Sequence, residues 1–170
     1  MNKSEIEFAE VEVDVDTIAN ALGVSTEEYV ESVTGTTLSG ISEQWVANKV
    51  NGKRILGEQL EWDVVASHRP LKRIEVRNIC LSPEISFAPS TARGKGRFFE
   101  ESTFLHKIGN IDSYVFVDMR DRLLTNPKLY EIPAKEVLKL YRSGVLNKKA
   151  AIGQTRFFKT FPFETYKLKP

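Results

Sequence analysis

Residues 61–79 read EWDVVASHRPLKRIEVRNI, two short alternating runs separated by a connection that contains Pro70. With Leu60 added, the first run sets Leu60, Trp62 and Val64 on one side and Glu61, Asp63 and Val65 on the other. The second sets Ile74 and Val76 against Arg73, Glu75, Arg77 and Ile79. A period of two is the pattern of half-buried strands, and SHRPL, residues 67–71, fits the loop of a hairpin. If Val65 and Arg73 face each other beside that loop, antiparallel counting sets Asp63 opposite Glu75 on one face of a sheet. Like charges so opposed repel, and a proton, a cation or a metal ion has to offset them.

Two arrangements meet that demand. Arg77, two residues beyond Glu75 on the same face, can neutralise the pair as a purely structural partner. Alternatively a hard divalent ion such as Mg²⁺ takes the oxygens of Asp63 and Glu75, with the backbone carbonyl of Val76 and water completing its shell. Such an ion acidifies water and stabilises charge on a phosphodiester oxygen.

Composition narrows the context. The chain has 170 residues, 41% of them hydrophobic, enough for one well-packed domain. An acidic N-terminus without a signal-like apolar stretch, and no apolar run near the ~20 residues of a membrane span, predict an intracellular, cytoplasmic protein. One cysteine, Cys80, and two histidines, His68 and His106, are too few for a Cys/His zinc site. The net charge of +1 hides a division: residues 1–43 hold ten acidic side chains against Lys3, whereas residues 44–170 hold 23 basic against 13 acidic. A basic body suits a polyanionic partner.

The acidic portion, residues 1–37, reads as a helical appendage. In DVDTIANALGVSTEEYVESVT, residues 14–34, Asp16 is placed to cap one helix, Gly23 to interrupt it, and Ser25 to cap a second. The phrase loosely resembles a helix-turn-helix, but Glu27, Glu28 and Glu31 on its second segment would repel phosphates, so packing on the main domain or on another subunit is favoured. A further helix is predicted from Ser39 or Gly40 to Gly52, with Ile41, Trp45, Val46 and Val50 on its apolar side and Glu43 in its first turn. Residues 112–119, DSYVFVDM, read as an interior strand that Asp112 and Asp118 bracket.

An early helical glutamate, a strand with a central Asp, a short hairpin and a strand carrying Glu-x-basic, in that order, resemble the core of the PD-(D/E)XK, or restriction-endonuclease-like, nuclease superfamily. Glu43, Asp63 and Glu75-Val76-Arg77 occupy those places, and the resemblance runs over residues 38–120. It implies an α/β fold with a central mixed β-sheet flanked by helices over residues 38–170. It also implies a Mg²⁺-dependent DNA endonuclease of type II restriction character, with Mn²⁺ able to substitute, acting on double-stranded DNA as a homodimer. Asp63, Glu75 and the Val76 carbonyl would hold the metal, Glu43 would assist, and Arg77 would stabilise the phosphate. Arg77 departs from the family, which carries lysine there; Lys107 or Lys72 is an alternative source of the catalytic cation.

Two basic stretches extend this expectation. Residues 86–108 open as a polar loop in which Ser90, Arg93, Lys95 and Arg97, spaced by Gly94 and Gly96, either contact phosphates or form a surface loop without a ligand. The helix following it directs Phe104, Leu105 and Ile108 to a core and Lys107 to another face. Residues 133–144 form an amphipathic helix with a stripe of Val137, Leu138 and Tyr141, closed by Gly144. Beyond it, Lys148, Lys149 and Arg156 are candidate nucleic-acid contacts amid Phe157, Phe158, Phe161, Phe163 and Tyr166, which either stack on bases or build core. The rival functions are a DNA-binding protein on this scaffold that lacks catalysis, and a regulator or interaction module that uses the N-terminal helices.

Overall fold

A computed structural model describes residues 14–32, 35–55, 62–67, 71–89, 91–93, 96–120 and 127–169. In chain order the elements are α1 (Val15–Leu22), α2 (Thr26–Ser32), α3 (Gly35–Lys49), β1 (Gly52–Arg54), β2 (Val64–Ala66), β3 (Lys72–Ile79), β4 (Glu84–Ser86), β5 (Thr91–Arg93), β6 (Gly96–Phe98), α4 (Glu101–Asn110), β7 (Ser113–Asp118), β8 (Leu129–Pro133), α5 (Ala134–Arg142), β9 (Ala151–Gly153), α6 (Gln154–Thr160) and α7 (Phe163–Tyr166). Five strands form one mixed sheet in the order β1-β2-β3-β7-β8. Its β3–β7 pair is parallel and its other pairs are antiparallel. The chain is thus an α/β protein with a central mixed sheet flanked by helices.

The registers follow the alternation. Val65 pairs with Arg73 and Val64 with Ile74; Glu75 lies beside Tyr114 and Arg77 beside Phe116 on the parallel neighbour. One face of the sheet, with Val64, Ala66, Ile74, Val76, Val115 and Val117, buries Val46 and Ala47 of α3 and Val50 just beyond it, together with Val15, Ala19 and Tyr29 from α1 and α2. The opposite face, with Ile79, Tyr114 and Phe116, packs on Phe104 and Ile108 of α4, Val137 of α5 and Phe157 of α6. Apolar side chains on both faces explain why β7 reads as a continuous run rather than an alternation.

Local chemistry sets the element ends. Asp14, not Asp16, caps α1, its carboxylate accepting from the Thr17 N–H at 2.9 Å. Asp16 instead accepts from the Thr26 hydroxyl across the turn, and Gly23 closes the helix at φ 72°. Ser25 and Glu28 form a reciprocal capping box at α2. Helix α3 begins at Gly35, earlier than the predicted Ser39 or Gly40. β1 lies close against β2 at Gly52, where a Cβ would stand 2.5 Å from the Val65 carbonyl oxygen.

The structure departs from the sequence pattern at two further places. The 86–98 stretch, expected as an open loop, contains the antiparallel hairpin β5–β6. On α4, Leu105 is 38% exposed, whereas Lys107 is turned inward. Residues i, i+3 and i+4 share a helix face, so Lys107 belongs to the Phe104–Ile108 stripe and Leu105 lies about 100° away. The aromatics of the C-terminal stretch are core. Phe157 and Phe161 are fully buried, and Phe157 meets Phe116 at 5.2 Å and Tyr130 at 5.8 Å between ring centroids, both edge-on.

Candidate active site

Asp63 sits immediately before the first residue of β2. Its N–H donates to the Ile74 carbonyl at 3.0 Å, and its own carbonyl accepts from Ile55 N–H at 2.8 Å. Past this point β3 has lost its backbone partner on the β2 side, and the Asp63 side chain replaces it: Oδ2 accepts from the Val76 N–H at 2.8 Å. The Asp63 carboxylate therefore lies along the sheet edge beside Val76 rather than standing on the face. Within a strand, N–H and C=O of one residue point the same way, so the Val76 carbonyl is directed to the side that Asp63 occupies.

Glu75 is 3% exposed and lies on the face shared with α4. The Arg77 guanidinium meets its Oε1 at 2.9 Å, and Lys107 Nζ reaches from α4 to its Oε2 at 2.6 Å. Burial pushes the Glu75 carboxyl up to about 7; Arg77 and Lys107 pull against that shift, and the Asp63 charge adds to it. Asp63 is thus close enough to Glu75 to raise its proton affinity, as the register requires. Tyr114, fully buried next to Glu75 on β7, has its hydroxyl pKa raised by burial, with the nearby charges of Arg77 and Glu75 acting in opposite senses. Neither the Tyr114 hydroxyl nor Arg77 Nε has a hydrogen-bond partner among the described residues.

Glu43 is held differently. Arg54 Nε on β1 donates to its Oε2 at 2.7 Å, and Gly40, one turn earlier on α3, leaves room for that guanidinium: a Cβ there would stand 3.1 Å from it. Burial raises the Glu43 pKa, Arg54 lowers it, and Asp63 raises it further. Asp63 is therefore the group through which Glu43 and Glu75 sense a common charge, although Glu43 spends its direct contact on Arg54.

The three acidic residues singled out by the sequence share one electrostatic neighbourhood, with Arg77 alongside. Two partners escaped the reading. Arg54 as the partner of Glu43, and Tyr114 as the neighbour of Glu75, depend on strand order, which no local pattern encodes. The place of Lys107 was legible in the spacing of Phe104 and Ile108.

Among the described residues, no three Asp, Glu, His or Cys side chains converge closely enough to hold a metal ion by themselves. Two carboxylates and a carbonyl nonetheless fit a hard divalent ion in kind, and such an ion would compete with Arg77 and Lys107 for Glu75.

Of the expected nucleic-acid contacts, Ser90 and Lys95 lie outside the described residues, as do the side chains of Arg93 and Arg97, whose backbones belong to β5 and β6. Phe98, at the base of that hairpin, is 63% exposed. Lys148 and Lys149 are exposed on the turn before β9, where Asn147 Oδ1 accepts from the N–H of Lys149 at 2.9 Å and of Ala151 at 3.0 Å. Arg156 is exposed on α6. Asp112 and Asp118 are strand-end residues, bonded to Arg73 and Arg120 respectively.

The fold and this cluster define an α/β protein with a buried acid–base network at the broken edge of a mixed sheet. Comparison with family models and with curated proteins finds no match to this chain. None of its described helices is long and apolar enough to cross a membrane.

Proposed function

We propose that this chain is a divalent-metal-dependent endodeoxyribonuclease on a restriction-endonuclease-like scaffold, cutting double-stranded DNA as a homodimer in which each subunit serves one strand. The observation that carries the reading is the meeting of Asp63, Glu75 and Val76 at one strand break with two cations, Arg77 and Lys107, already directed at the same carboxylate. A Mg²⁺ or Mn²⁺ ion bound there would supply the Lewis acidity that acidifies water and neutralises phosphate charge.

The chain's own residues supply the rest. The Val76 N–H fixes the orientation of Asp63. Arg77, planar and always charged, clamps a phosphate and stabilises developing negative charge, and it cannot act as a base. Lys107 brings a compact ammonium to the same spot, which is the role a lysine at position 77 would otherwise fill. Exposed Lys148, Lys149 and Arg156, with the basic β5–β6 hairpin, would neutralise flanking phosphates.

The test is incubation of the purified protein with plasmid DNA in Mg²⁺, in Mn²⁺ and in chelator. Cleavage should require the metal and disappear in Asp63→Ala and Glu75→Ala variants that still fold. Cutting that survives chelation, or survives in both variants, refutes the assignment. One observation favours a second reading: both oxygens of Glu75 are already neutralised by protein cations, as in a DNA-binding scaffold without catalysis. That reading expects a shift in DNA mobility and no products under any metal.

A further inference from the structure

Lysines from separate parts of the chain meet at the β8 edge of the sheet. Tyr130 and Lys167 form an antiparallel bridge there, and the Leu168 N–H donates to the Leu129 carbonyl at 2.9 Å. Leu168 is buried in the core cluster that also holds Leu129 and Val50; the lysines are their chain neighbours, Lys167 and Lys169 around Leu168, Lys128 before Leu129 and Lys49 before Val50. The side chains converge as well. Lys128 Nζ and Lys167 Nζ stand 5.1 and 5.8 Å from the centroid of the half-buried Phe163 ring, both within cation–π range. Burial and the charge of Lys167 hold the Lys49 amine below its ordinary pKa.

Lys167 and Lys169 also line, with Lys72 and Tyr166, a groove of about 380 Å³. The carboxylates in its wall are engaged, Glu131 by Lys72 and Glu136 by the Tyr166 hydroxyl; Glu164, on α7, is exposed. Like charges held this close repel, and an anion laid across them offsets the repulsion. A peptide strand cannot pair with β8 at Leu129 and Tyr130, where residues 167 and 168 already take the edge. Recognition falls to the ammonium groups, compact charges suited to phosphates.

Resting on the DNA-binding part of the reading above, we propose that Lys128, Lys167 and Lys169, with Lys49 beside them, form a second DNA contact, a phosphate-backbone surface at the β8 edge, apart from the Glu75 cluster. Glu75 lies on the face shared with α4, whereas Lys49 ends the helix that covers the opposite face. Phe163 restrains the stems of Lys128 and Lys167, so less side-chain freedom is lost when a phosphate binds. The surface holds duplex DNA without reading bases and without a metal ion.

The experiment measures binding of a short mixed-sequence duplex by fluorescence anisotropy, in chelator, across a salt series. Lys128→Gln/Lys167→Gln/Lys169→Gln should weaken binding about tenfold or more at low salt and flatten the dependence of log affinity on log salt by ~0.9 per lost contact. Lys135→Gln/Lys139→Gln/Arg142→Gln, which removes the same charge from exposed positions of α5, should bind within about threefold of wild type, as expected for charges that touch no phosphate. Wild type alone gives a second readout: in lysine acetylation read by mass spectrometry, the duplex should shield Lys128, Lys167 and Lys169 and leave Lys135 and Lys139 as reactive as before. Affinity and slope unchanged in the β8-edge variant, an equal loss in the α5 variant, or no shielding overturns this surface and leaves DNA binding intact. Displacement of the duplex by poly-glutamate at matched charge assigns the surface to an acidic protein partner and overturns it too. Wild type that binds no duplex at any salt overturns both this surface and the DNA reading.

Discussion

Glu75→Gln separates burial from ion pairing as the force that governs the buried carboxyl. The carboxyl moves from an ordinary value of 4.5 to about 7 on folding, chiefly through burial. Between those values the folded protein retains a proton that the unfolded chain has released, so stability falls as pH rises through the window. At 1.36 kcal/mol per unit, the group costs the folded state about 3 kcal/mol more at pH 8 than at pH 4.5. Glutamine keeps the shape and cannot ionise. The cost of leaving Arg77 and Lys107 without their carboxylate is present at every pH, whereas the titrating contribution is present only in wild type. Urea unfolding of both proteins at pH 5 and pH 8 isolates it: the stability of Glu75→Gln relative to wild type should improve by most of that 3 kcal/mol at the higher pH. A relative stability that is constant, or that worsens toward pH 8, would mean that Arg77 and Lys107 hold Glu75 ionised throughout and that the attribution to burial is wrong.

Further outcomes are expected, the first two resting on the proposed function and the last two on the packing. Single-turnover cleavage by Arg77→Ala should lose orders of magnitude, with Arg77→Lys retaining substantial activity; an Arg77→Ala rate equal to wild type would leave Lys107 as the working cation. Removing the charges of Arg93, Lys95 and Arg97 together should weaken binding to all DNA sequences alike and flatten the salt dependence by ~0.9 per lost phosphate contact, read from a salt titration. Phe157→Ala, at the centre of the aromatic cluster, should cost about 3–5 kcal/mol in chemical denaturation. Gly52→Ala, whose Cβ would collide with the Val65 carbonyl, should cost about 1–3 kcal/mol and, by displacing β1, loosen the Arg54 hold on Glu43.

Much of the fold was written locally. Alternation along residues 72–79 determined β3 and, with one hairpin pairing, the register that brings Asp63 to Glu75, because a strand's period of two ties every side chain to a face. Ser25, Gly23 and Gly144 marked helix boundaries through capping and left-handed geometry, which depend on a few neighbouring residues. What local pattern could not determine was which distant groups share a volume. Placing Tyr114 beside Glu75 needed the parallel β3–β7 pairing, and sending the C-terminal aromatics into the core rather than toward a partner needed α6 to dock beneath the sheet. The alternation correctly paired the residues Asp63 and Glu75, but the start of β2 turned the Asp63 side chain to the open strand edge, where an unpaired backbone N–H was available. The sequence alone determined the acids and their register. Tertiary packing decided that Glu75 is buried and held by one cation from its own strand and another from α4, since charge neutralisation in a dry interior depends on distance through space and not along the chain.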